Sequence, residues 1–165
     1  MNAFRRGVET ALGAFCVALI VALTLLVLVA VAFRQLGASL SWYDEVATVV
    51  LAWLTYYGAA YAALKRGHLG SPEVLVRIPP PLRLALFALS EGLVIAFFAI
   101  IGLYGLEVVI LLKGDGLISL PWVPVQLTQS VIPAGAVLFI VCQALSIPRE
   151  WAVLRQGRAA VKESI

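Results

Sequence analysis

Charge is scarce in this sequence. Only 13% of its 165 residues are Asp, Glu, Lys or Arg, while 62% are hydrophobic. A soluble domain carries about a quarter charged residues, and one of this size has no interior large enough for so much apolar surface, so the solvent implied is a bilayer. Histidine occurs once, at His68, which excludes bis-histidine haem ligation within the chain. The two cysteines, Cys16 and Cys142, lie inside apolar runs. They have neither CxxC nor zinc-ligand spacing, and read as small core or lipid-facing residues. No glycine-rich phosphate cradle is present, and no nucleophile, base and orienting group can be assembled. The sequence therefore predicts no enzyme, no cofactor and no metal. The net charge of +3 does not point to nucleic acid either, because the bases sit between apolar runs and form no patch interleaved with aromatics.

What the chain has is long uncharged runs. The first, residues 11–33, spans 23 positions. At 1.5 Å per residue it would cover ~34 Å, enough for a hydrocarbon core of about 30 Å. Ala30-Val31-Ala32 resembles a signal-cleavage site, but the run exceeds a signal core of about 7–15 residues, so an uncleaved helix is expected. The second run, Val46 to Leu64, has Asp44 and Glu45 before it and Lys65-Arg66 after it. Both suit a helix dipole. The third, Leu84 to Leu112, is interrupted by Glu91 and Glu107. These lie about 160° apart around a helix and form no dyad. For Glu91 a buried hydrogen-bonding or inter-subunit role is expected ahead of ion carriage. The last charge-free stretch ends before Arg149. Pro121-Trp122-Val123-Pro124 reads as an interfacial or re-entrant lead-in with Trp122 as anchor. Pro133 is expected to kink the last crossing and Pro148 to end it. The expected crossings are thus about 11–33, 43–64, 86–112 and 125–147 in a single membrane domain, followed by a tail over 149–165.

Two features of the second crossing invite contact. Trp42, Glu45, Val49, Trp53, Tyr56 and Ala60 share one face at 100° per residue. The small pairs Gly58–Ala62 and Ala59–Ala63 permit close helix approach. An interfacial tryptophan belt with ordinary bundle contacts and a docking face for another subunit both fit. Arg66, His68 and Glu91 are further interface candidates. In the following loop, Ser71-Pro72-Glu73 has the capping hydroxyl, N1 proline and first-turn acid of a helix start. Val74, Leu75 and Ile78 give it an apolar side, and Pro79-Pro80-Pro81 would stop it. A short helix lying in the membrane surface and a plain loop both fit.

Direction follows from the bases. Arg5, Arg6, Lys65, Arg66, Arg77, Arg83, Arg149, Arg155, Arg158 and Lys162 would lie on one side, against Arg34 and Lys113 on the other. The positive-inside rule then places both termini in the cytoplasm. The fold expected is an all-α integral membrane protein of four transmembrane helices, with a short interfacial helix in the cytoplasmic loop. The basic tail is suited to membrane lipids.

The order of several short elements resembles the small membrane (Q-type) subunit of tripartite ATP-independent periplasmic (TRAP) transporters. These elements are Ser41-Trp42 with Glu45, then Trp53 and Gly58-Ala59-Ala60, then Lys65-Arg66-Gly67-His68, then the segment ending at Pro79. Leu120-Pro121-Trp122, leading to Ile132-Pro133-Ala134-Gly135, completes the set. Gly70-Ser71-Pro72 departs from the family, which often has a branched residue and an acid there. The resemblance implies a multi-pass protein of a bacterial inner membrane that partners a large membrane subunit and a periplasmic substrate-binding protein. Its role would be a scaffold bracing sodium-coupled uptake of an organic acid, with substrate and sodium sites in the large subunit. The alternatives are the small subunit of a tripartite tricarboxylate transporter and a membrane anchor of a respiratory complex.

Overall fold

The computed structural model describes residues 2–65 and 78–156. They form α1 (Asn2–Gln35), α2 (Tyr43–Leu64), α3 (Pro80–Leu111), a five-residue α4 (Val125–Gln129) and α5 (Val131–Gln156). No strand occurs among the described residues; Gly116 and Pro124 make one isolated antiparallel bridge. Four segments are long and apolar enough to cross a membrane: Arg5–Gln35, Tyr43–Leu64, Pro81–Leu111 and Val125–Pro148. The chain is all-α, as its uncharged runs imply.

The helix ends show how local chemistry sets these bounds. α1 starts at Asn2, well before the uncharged run, because its charged first turns have partners: an Arg5 Nη donates to the Leu64 carbonyl at 2.8 Å, and Glu9 pairs with Lys65 at 2.9 Å. α3 starts inside the proline run, with Pro79 at the N-cap and Pro80 and Pro81 as its first residues. Prolines are tolerated there because first-turn N–H groups have no helical partner. The expected surface helix over 71–78 lies almost wholly outside the described residues.

One expectation holds for the crossing and not for the helix: the segment of crossing length stops at Pro148, but the helix runs on to Gln156. Proline removes one hydrogen bond and crowds the preceding turn, but here tertiary contacts hold the helix beyond it. Trp151 meets Phe87 of α3 with ring centroids 6.0 Å apart, and Leu154 is only 3% exposed. The break falls earlier instead, at Ser130 between α4 and α5. Pro133 has no N–H to offer the Gln129 carbonyl four residues back.

The main helix contacts run α1 with α2, α2 with α5, and α5 with α3. The last crossing is therefore the inner one: 39% of its apolar window is buried, against 6% for the first and third. The core joins Leu12, Ala60, Ala63, Leu64, Phe139 and Cys142. Phe98 of α3 stacks on Phe139 at 3.6 Å, with rings 10° from parallel. α2 and α5 approach closely at Gly135, where an added Cβ would lie 2.7 Å from Tyr56 Cβ.

Candidate functional site

The polar groups that this fold brings together lie at three levels along the bundle. At one end, the first turn of α2 places Glu45 under the loop joining α3 to α4. Its two carboxylate oxygens accept the N–H groups of Ile118 and Ser119, at 2.9 and 2.8 Å. Bonds from backbone N–H to an ionised carboxylate are among the stronger hydrogen bonds. The loop closes on itself as a hairpin: Leu117 N–H donates to Val123 carbonyl at 3.0 Å, and Val125 N–H to Asp115 carbonyl at 2.9 Å. The Gly116 position touches the Pro121 carbonyl so closely that no Cβ fits. Leu117 turns inward while Ile118 and Trp122 are 94% and 77% exposed. The result is a fixed hairpin with an apolar tip.

The same α2 face continues inward. Trp42, half-buried, occupies the N-cap position without a capping side-chain bond. The Trp53 indole N–H donates to Thr128 carbonyl at 3.3 Å, and Tyr56 lies against Gly135. Gln126 adds a link from α4 to α3 by donating to Val109 carbonyl at 3.1 Å. Glu45, Trp53 and Tyr56 thus have partners in this chain's own loop and last crossing.

At mid-bundle, the Gln143 amide on α5 donates to Glu91 on α3 at 2.6 Å. Gln143 is 5% exposed, and its carbonyl oxygen has no partner. Closer to the end of α2, the Ser146 hydroxyl, also buried, lies 3.1 Å from the carbonyls of both Ala63 and Cys142. Glu107, near the end of α3, is exposed.

At the other end, Arg5 satisfies the last carbonyl of α2, and the Glu9 carboxylate holds the Lys65 ammonium above its ordinary pKa, with Tyr61 assisting. Lys65 also lies 5.6 Å from the centre of the Tyr61 ring. Arg66 and His68 fall outside the described residues. Among those described, no three or more His, Cys, Asp or Glu side chains gather as a metal site would require.

The outward surface is apolar. An open groove of about 870 Å³ runs between α3 and α5, lined by Phe98, Gly102, Leu106, Pro133, Ala136 and Val141 among others. Sequence reading had picked out Glu45, Trp53, Tyr56 and Glu91 but missed Gln143, Ser146, Gln126 and the hairpin. Gln143 had a signal: it is the one amide between Val131 and Ile147. The hairpin's amides had none, since a backbone N–H is the same in almost every residue.

No curated protein matches the chain. A family model does, described as tripartite ATP-independent periplasmic transporters, DctQ component, over residues 23–153. The matched region starts within α1 and takes in α2, the clamped hairpin, Glu91 with Gln143, and α5 beyond Pro148. With four helices of crossing length threaded through that match, the chain belongs to the DctQ family, as a multi-pass small membrane subunit of a TRAP transporter.

Proposed function

We propose that this subunit is a non-catalytic brace for the large membrane subunit of its transporter, in a bacterial inner membrane with both termini in the cytoplasm. The transporter takes up an organic acid delivered by a periplasmic binding protein and is driven by sodium. Substrate and sodium are handled by the large subunit. The brace supplies a stationary surface, so that movement in the large subunit carries substrate across and does not displace the complex as a whole.

The observation that carries this reading is the internal pairing of the chain's polar groups. Glu45 is committed to the hairpin, and Glu91 to Gln143. These bonds tie α2, α3 and α5 into one unit, as a fixed support requires. Trp42, Glu45, Trp53 and Tyr56 then serve the partner interface by shaping it from within. Arg66 and His68 complete the interface on the cytoplasmic side. The contact with the large subunit runs along the α3/α5 groove, where Ala99, Gly102, Ala134 and Ala136 leave room for a close helix.

Copurification tests the proposal. A tagged chain, expressed with its neighbouring genes and extracted in mild detergent, is expected to bring down a large multi-spanning subunit. Deleting the chain should abolish uptake while the binding protein still captures its ligand. Recovery of a homodimer alone would overturn the reading.

A further inference from the structure

The first turn of α3 holds a buried cation that no described carboxylate neutralises. Arg83 is 4% exposed, and its Nε is sealed from solvent without a partner. Its backbone N–H is used by the Pro79 carbonyl at 3.0 Å. No described carboxylate pairs with the guanidinium. The next acid along α3 is Glu91, eight residues and ~12 Å further along the axis, and it is taken by Gln143.

A guanidinium stays charged at any attainable pH and offers five N–H donors in a planar fork. Burying it unneutralised is costly, so a counter-anion is the expected completion. Among the guanidinium nitrogens, Nε is the one that is both buried and without a partner. The surroundings describe the anion. One turn on, Phe87 is 3% exposed and meets Trp151 of α5, and Leu154 is buried nearby in sequence. The membrane-crossing segment begins at Pro81, so Arg83 sits about one residue-pair, ~3 Å, inside it. This is headgroup depth, beside an apolar and aromatic wall, at the end of the bundle that also collects Arg5 and Lys65.

We propose that Arg83 holds a phosphate group at the α3/α5 end of the bundle, and that a phospholipid headgroup supplies it. Phosphate oxygens match the guanidinium fork with two parallel bonds. Basic sites between crossing helices bind lipid head groups, and the Phe87–Trp151 wall suits the start of an acyl chain. The site does not depend on the transport reading.

The test uses the full chain, purified in mild detergent and examined by native mass spectrometry, with helix content checked by circular dichroism. The wild type should retain one tightly held phospholipid. After delipidation, added phosphatidylglycerol should rebind about tenfold or more weakly to R83Q, the loss expected for a charged hydrogen-bond pair. R83K, which keeps the charge but not the fork, should fall between. K113Q, beyond the far end of α3, should match wild type. If inorganic phosphate displaces the lipid from wild type but has no effect on R83Q, the site takes phosphate from either source. If it displaces nothing, the site is specific to the lipid. Equal retention by wild type, R83Q and R83K would overturn the proposal. So would unchanged retention combined with loss of the large subunit from R83Q, which would make Arg83 a partner for a protein carboxylate.

Discussion

The two ends of this bundle are fastened in different ways. At the hairpin end, a carboxylate on α2 holds two consecutive backbone amides 73 and 74 residues away in sequence. At the basic end, the fastenings are side chains on long stems: Arg5 reaching a helix carbonyl, and Glu9 meeting a Lys65 that is half exposed. A backbone amide within a closed hairpin has little freedom left to lose, whereas a lysine gives up much of its rotamer entropy to stay in one geometry. The first kind of contact fixes a shape; the second chiefly fixes a charge near a surface. On the proposed role as a brace, a subunit that holds one end unchanging while the other rests near charged headgroups needs both.

The sharpest way to break the comparison is to open the hairpin from within. Gly116→Val puts a branched side chain where Gly116 meets the Pro121 carbonyl. Overpacking of this sort costs about 1–3 kcal/mol, and the backbone here cannot yield without losing the Gly116–Pro124 bridge. Hydrogen exchange at Leu117 and Val125 should rise by about tenfold to a hundredfold. The Arg5 and Lys65 end should be unaffected. If exchange rises equally at both ends, they are not independent.

Next in size is the middle of the bundle, which belongs to neither end. Gln143→Leu leaves the Glu91 carboxylate without its amide and should cost about 1–3 kcal/mol in detergent unfolding. Pairing it with Glu91→Leu should recover most of that loss, because two apolar groups in place of a buried polar pair can be nearly neutral. If the double variant is worse than the single one, Glu91 has a use beyond its bond to Gln143.

These contacts also show where the sequence was legible. Four crossings were readable because an apolar run of nineteen or more residues, with at most two charges in it, is a statement about length, and length against bilayer thickness leaves few options. The side of α2 bearing Glu45, Trp53 and Tyr56 was readable from periodicity, but what covers it was not. The groups that meet it come from Ile118, Ser119, Thr128 and Gly135, and three of them contribute only backbone. Pro148 misled because a local rule was applied where Trp151 and Leu154 decide the outcome. A buried Arg83 was out of reach for the opposite reason: its sequence context counts it among the topology-setting bases, and only the packed helices show its Nε buried without a described partner.

A smaller effect is expected for Glu45→Gln. The amide keeps one acceptor oxygen, so one of the two hairpin N–H groups retains a neutral partner and the other loses its own. The hairpin should loosen less than in Gly116→Val, with exchange rising at Ile118 and Ser119 first. Copurification of the large subunit should fall in step if that fixed hairpin contributes to the interface. Unchanged copurification would confine Glu45 to the internal economy of this chain.

The smallest effect belongs to the basic end, and its sign is set by charge. Glu9 raises the Lys65 pKa. The stabilisation from that contact is therefore complete below the unfolded pKa of lysine and is lost only as pH climbs through the still higher folded value. Between pH 6 and 9, roughly, no pH dependence should arise from it. Salt is the better probe, since exposed charges are screened over about 8 Å at physiological ionic strength. Glu9→Gln should lower the thermal midpoint least of the four changes, and should remove part of the wild type's sensitivity to added salt. Glu45→Gln should leave that sensitivity largely in place, because its carboxylate faces backbone dipoles and no opposite charge. If the two variants respond to salt alike, the distinction between a contact that fixes shape and one that fixes charge does not hold for this subunit.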